Sequence, residues 1–189
     1  RENKKFLYSV VKEGARAREY ENALNWIVNA DILNKIYAIS KPGLPITAYD
    51  DLSAFKIYMN DVGLLRRKSR LSTSAVIEED RLFTEFKGAL TENYILQSLL
   101  TNIDMTPRYW KDTKNEVDFI IQIENDILPI EVKAGNSIKK NSIKKYEEKY
   151  SNNTKYMIRF SQKNLSFDGK LLNVPLFLAD HLLQLVKCL

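Results

Sequence analysis

The chain is poor in the residues that several protein classes depend on. Among its 189 residues are one cysteine, Cys188, and one histidine, His181. One thiol cannot close an intrachain disulfide or build a cysteine-rich zinc site, and it reads as an ordinary buried or terminal thiol. A lone histidine does not supply the usual set for a catalytic triad, so His181 reads as a surface or packing residue of a C-terminal helix. No stretch of about 18 uninterrupted apolar residues occurs, so no membrane span is indicated. The opening Arg1-Glu2-Asn3-Lys4-Lys5 precedes an apolar run too short for a secretory signal. With no initiating Met, the expectation is a fragment whose upstream part has been cut off. No GxxxxGK[ST] phosphate loop, internal repeat or low-complexity tract is found, and ATP would have to bind upstream. The 44% hydrophobic content suits one or two compact domains of a cytoplasmic protein.

What is present is a set of carboxylates in apolar surroundings. Residues 116 to 123 (EVDFIIQI) and 127 to 133 (ILPIEVK) are rich in β-branched residues and are separated by Glu124-Asn125-Asp126. They read as an antiparallel hairpin with a short polar turn. A two-residue turn at Glu124 and Asn125 pairs residues whose numbers sum to 249, setting Asp118 opposite Glu131 and Glu116 opposite Lys133. Strand alternation then places Val117, Phe119, Ile121, Leu128, Ile130 and Val132 on one apolar face. Asp118, Glu131 and Lys133 share the other. Upstream, the helix-like run Ala89 to Leu100 carries Glu92 on the same stripe as Ile95, Leu96 and Leu99. A carboxylate on such a stripe needs a partner, either a metal site or a lysine.

These residue types suit phosphodiester hydrolysis. Two carboxylates on neighbouring strands offer hard oxygen ligands for Mg²⁺ or Mn²⁺, which polarises the scissile phosphate and acidifies an attacking water. Lys133 would stabilise charge developing on the phosphoryl oxygens, and Glu92 would hold a metal-bound water. The plainer alternative is that Asp118 and Glu131 are polar residues on the solvated face of a hairpin. Against it stands the apolar character of both strands, which suits a central position where an unpaired charge is expensive.

The order helix with Glu92, strand with Asp118, strand with Glu131-x-Lys133, then a helix and a further strand, resembles the PD-(D/E)XK nuclease superfamily. That resemblance implies a restriction-endonuclease-like α-β-β-β-α-β core. More narrowly, the segments 86 to 93 (FKGALTEN), Tyr109-Trp110, 116 to 119 (EVDF) and 130 to 135 (IEVKAG) resemble the C-terminal domain of unknown function that follows the ATPase in many prokaryotic AAA+ proteins. Gly14-Ala15-Arg16 and 61 to 65 (DVGLL) fit the same group, so the resemblance spans nearly the whole chain. It implies an upstream ATPase domain as partner and leaves two activities open. One is metal-dependent cleavage of nucleic acid at Glu92, Asp118, Glu131 and Lys133. The other is a catalytically silent DNA-binding or protein-interaction module that regulates the ATPase. Val117 stands where the superfamily has proline, and the extra Gln or Lys that some members carry on the next helix has no counterpart here.

Charge is uneven. The net charge is +5, yet residues 133 to 170 hold ten Lys/Arg against three acids, so the rest of the chain carries −2. Lys139, Lys140, Lys144 and Lys145 of this segment are the candidate phosphate contacts, although lysines on a helix are most often solvated surface. Residues 1 to 70 read as a small winged-helix-like α+β unit, with a helix over 16 to 30, a strand over 32 to 39 and another over 55 to 59. A Ser/Thr-rich linker near 68 to 79 precedes the nuclease-like unit, residues 80 to 189. The first unit could bind DNA or pack against the ATPase. Oligomeric state is left open.

Overall fold

The structure, a computed structural model, describes residues 4–14, 16–74, 84–135 and 142–189. Its elements run α1 (Ala17–Asn29), β1 (Leu33–Ile39), β2 (Asp50–Met59), α2 (Val62–Lys68), α3 (Thr84–Asn102), β3 (Arg108–Lys111), β4 (Glu116–Ile123), β5 (Asp126–Val132), α4 (Ser142–Lys149), β6 (Met157–Ser161), β7 (Ser166–Asp168), β8 (Leu171–Pro175) and α5 (Leu182–Lys187). The strands form one eight-stranded mixed sheet in the order β2-β1-β3-β4-β5-β6-β8-β7. The chain is therefore of the α/β class. No described helix is long and apolar enough to cross a membrane.

The central hairpin takes the register that its turn dictates. Phe119 pairs with Ile130, Ile121 with Leu128 and Ile123 with Asp126, all summing to 249. Glu124 adopts the left-handed conformation, φ 52°, as a positive φ suits the tightest hairpin turns.

Alternation fails at one place. On the other side of β4, Arg108 lies opposite Ile120 but Trp110 lies opposite Val117, so one residue of β3 spans two of β4, Asp118 and Phe119. This bulge re-aims side chains. Val117 and Ile120 pack with Trp110 and Tyr146 of α4, whereas Phe119 and Ile121 pack with Ile95, Leu96 and Leu99 of α3. The expected apolar face holds for Phe119, Ile121, Leu128, Ile130 and Val132 but not for Val117.

Helices cover both faces of the sheet. On one, α3 buries Ile95, Leu96 and Leu99 against Ile36, Tyr58, Phe119, Ile130 and Phe160, with Ala179 and Leu182 completing the layer. Each such aliphatic side chain contributes about 1.5–3 kcal/mol relative to exposure. On the other, Tyr146 of α4 packs edge-on against Trp110, their ring centroids 5.2 Å apart.

The N-terminal strands are part of this sheet. β1 pairs antiparallel with β2, then parallel with β3 through Ala38–Tyr109 and Ile39–Trp110. β2 also starts earlier than its apolar run, at Asp50. Arg108 holds that start in place, its Nε 2.7 Å from Asp50 Oδ1 and its Nη2 2.9 Å from Oδ2. Asn93 of α3 fastens the far end of β2, accepting from Met59 N–H at 2.9 Å and donating to Met59 O at 3.0 Å.

Candidate functional site

Glu92 does meet its need for a partner, and the partner is a lysine. In β2 the residues Ala54, Lys56 and Tyr58 alternate onto the α3 side of the sheet, and Lys56 is 1% exposed. Its Nζ lies 3.3 Å from Glu92 Oε1 and 2.6 Å from Glu116 Oε1, with the ring centroid of Tyr109 5.1 Å away. Burial works against charge on Lys56. Glu92, Glu116 and Asp118 together outweigh it and hold the ammonium above its ordinary pKa. Tyr58 donates its hydroxyl to the same Glu92 oxygen. Burial, reinforced by Glu92, keeps that phenol well above its usual pKa.

Asp118 stands beside this pair. Oδ2 accepts the Val132 N–H at 2.7 Å. Burial and then the neighbouring Glu92 raise its pKa to about 7, against the lowering influence of Lys56, the Val132 N–H and Lys133. A carboxyl group in this state is half protonated near neutrality.

Glu131 has other company. Residues Ile130 and Val132 face α3, which turns Glu131 to the opposite side, where it is 2% exposed. Its Oε2 lies 3.0 Å from Arg159 Nε and its Oε1 3.0 Å from Lys133 Nζ. The Lys133 contact is an ion pair without hydrogen-bond alignment. Arg159 is presented by β6, whose parallel pairing sets it level with Glu131.

The structure thus brings Glu92 and Asp118 together and sets Lys133 within electrostatic reach of both Asp118 and Glu131. The contacts of Asp118 run to Val132, Glu92 and Lys56, and those of Glu131 to Arg159 and Lys133. Among the described residues no group of three or more His, Cys, Asp or Glu could hold a metal. The positive charge that the described residues bring to the cluster comes from Lys56, Lys133 and Arg159.

Three partners escaped the sequence reading: Lys56, Glu116 and Arg159. Lys56 carried a signal, since a lysine between Phe55 and Ile57 in an apolar strand needs a counter-charge. The basic segment is also less free than its composition suggests. Lys133, Lys145, Lys155, Arg159 and Lys170 each pair with an acid, namely Glu131, Glu148, Asp126, Glu131 and Glu147. Lys144 is exposed on α4. Lys139 and Lys140 lie outside the described residues.

Two stretches match family models. Residues 87–177 match the family described as Domain of unknown function (DUF4143), and residues 1–75 match Domain of unknown function (DUF8612). No curated protein and no solved structure matches the chain. Glu92, Asp118, Glu131 and Lys133 fall in the first match, and Lys56 and Tyr58 in the second.

Proposed function

We propose that the chain is a non-hydrolytic interaction module built on a nuclease-like core, serving beside the AAA+ ATPase domain to which its sequence resemblance points. The run α3-β3-β4-β5-α4-β6, an antiparallel meander followed by a helix and a parallel strand, supports a restriction-endonuclease-like core. The two family matches support a division near residue 75. A winged-helix role for the first 70 residues draws less support, because β1 and β2 are built into the common sheet.

The observation that carries the reading is Lys56. A side-chain ammonium fixed between Glu92 and Glu116 supplies the positive charge that a metal ion would otherwise bring. A resident cation meets the charge of Glu92 and Glu116 without offering open coordination positions for water or phosphate. The module reading therefore needs no reacting group.

A second reading is metal-dependent phosphodiester hydrolysis at Glu92, Asp118, Glu131 and Lys133. It is favoured by the buried carboxyl of Asp118, whose pKa is raised to about 7 beside Glu92. Calorimetric titration of Mg²⁺ and Mn²⁺ into the wild type and Asp118→Asn, with a parallel nucleic-acid cleavage assay, separates the two. The module reading expects no specific metal uptake and no cleavage. Cleavage that requires divalent metal and disappears in both Asp118→Asn and Lys133→Ala would establish the hydrolase instead.

A further inference from the structure

We propose that the C-terminal end of α2 and the turn after it form a docking surface for the phosphate backbone of a nucleic acid. This goes beyond the reading above and is independent of whether hydrolysis occurs. Four cations, Arg66, Arg67, Lys68 and Arg70, fall within five residues. Arg67, Lys68 and Arg70 are exposed. Among the described residues no acid pairs with any of the four. The contrast with residues 133 to 170 decides the location. There most of the described cations are matched by acids, whereas at the end of α2 no described acid compensates the positive charge.

The backbone of the turn places the fourth of these cations. Leu71 N–H donates to Arg66 O at 3.2 Å and Arg70 N–H to Arg67 O at 3.1 Å. This is the hydrogen-bond pattern of a Schellman helix end, whose left-handed position is Arg70, φ 54°. Glycine takes that position without steric penalty, while a side chain there costs on the order of 1 kcal/mol. The macrodipole accounts for a cation in the last turn of a helix, but it does not account for arginine where glycine is preferred. Asp31 ends α1 in the same way, φ 53°, so the conformation belongs to the helix end, and what sets Arg70 apart is that it adds a fourth cation to the cluster.

The surroundings suit a polyanion. Arg66 Nη1 donates to Thr73 Oγ1 at 2.6 Å, folding the following segment back beside the cations. Hydroxyl and guanidinium donors together are what phosphate oxygens accept from. None of the exposed large hydrophobic side chains among the described residues lies in this segment, so it offers no wedge for insertion into a lipid surface.

The test is fluorescence anisotropy with a short labelled single-stranded DNA, its duplex and an RNA of the same sequence, across a salt series. The wild type, the triple variant Arg67→Gln/Lys68→Gln/Arg70→Gly, Arg70→Gly alone, and the pair Lys144→Gln/Lys145→Gln are compared. The triple variant should bind about tenfold or more weakly at low salt, with its salt slope flatter by roughly 0.7 to 0.9 for each phosphate it no longer neutralises. Arg70→Gly alone should weaken binding while raising the melting temperature, which a purely structural role for the arginine does not predict. The Lys144/Lys145 variant should match the wild type. The proposal is overturned if the wild type binds none of the three probes at low salt, or if the triple variant keeps the wild-type slope. Loss of binding in the Lys144/Lys145 variant alone would move the surface to α4, and binding only to phosphatidylserine vesicles would assign it to membranes.

Discussion

Lys56 Nζ lies 3.3 Å from Glu92 Oε1, joining a strand from one family-matched segment to a helix from the other. Both side chains are nearly closed to solvent, 1% and 10% exposed. Breaking such a pair from one side takes a counter-charge away from a buried group, whereas removing both charges is far less costly.

Replacing Lys56 with Met should therefore destabilise the protein by about 3–5 kcal/mol. Adding Glu92→Gln, which keeps an acceptor for Tyr58, should restore much of the loss. Urea denaturation reads both. A double variant no more stable than Lys56→Met would mean that the lysine matters for its packing and not for its charge.

Asp118 sets a pH dependence. Its folded pKa, about 7, lies above the ordinary 3.8, so between those values the native state binds more protons than the unfolded chain. Stability from this group is fully present below about pH 4 and is lost as pH rises through 7. Asp118→Asn keeps an acceptor for Val132 and removes the charge. It should match the wild type near pH 4 and exceed it by about 1–3 kcal/mol near pH 8. A variant weaker than the wild type at pH 8 contradicts this.

The two partners of Glu131 should differ in importance. Arg159 is 16% exposed and hydrogen-bonded to Oε2, while Lys133 is 25% exposed and less well aligned. Arg159→Leu should cost about 2–4 kcal/mol and Lys133→Gln less than half as much. Equal losses in thermal or denaturant unfolding would show that the alignment of the two contacts is not what distinguishes them.

Gly43 is fixed by its neighbour. A Cβ added there would stand 2.3 Å from Cε2 of Tyr49. Gly43→Ala must push the ring aside and should lower stability by about 1–3 kcal/mol. Pairing it with Tyr49→Ala should make the alanine at 43 nearly neutral, as a double-mutant cycle would register.

Local signals carried the sequence reading a long way. Two-residue spacing at Glu124-Asn125 fixes the hairpin register, and the stripe of Ile95, Leu96 and Leu99 fixes the buried face of α3. The strand expected over 32 to 39 is β1, and the helix expected over 16 to 30 is α1. What escaped depends on residues far apart in the chain. The bulge at Asp118 and Phe119 is a property of β4 against β3, invisible in the alternation of β4 alone. Lys56 meets Glu92 across 36 positions, and no periodicity reports such a contact. The site was thus legible as a list of acids and illegible as an arrangement, because the arrangement is set by which strand lies next to which.

The parallel contact of β1 with β3 makes the two family-matched segments depend on each other. The two family-matched segments meet between residues 75 and 87 as units of sequence, yet their strands share backbone hydrogen bonds in one sheet. Shuffling either segment into another protein would strip β3 of its neighbour and leave an open strand edge, a template for self-association. A cut between the two segments would leave that edge bare unless a replacement strand covered it.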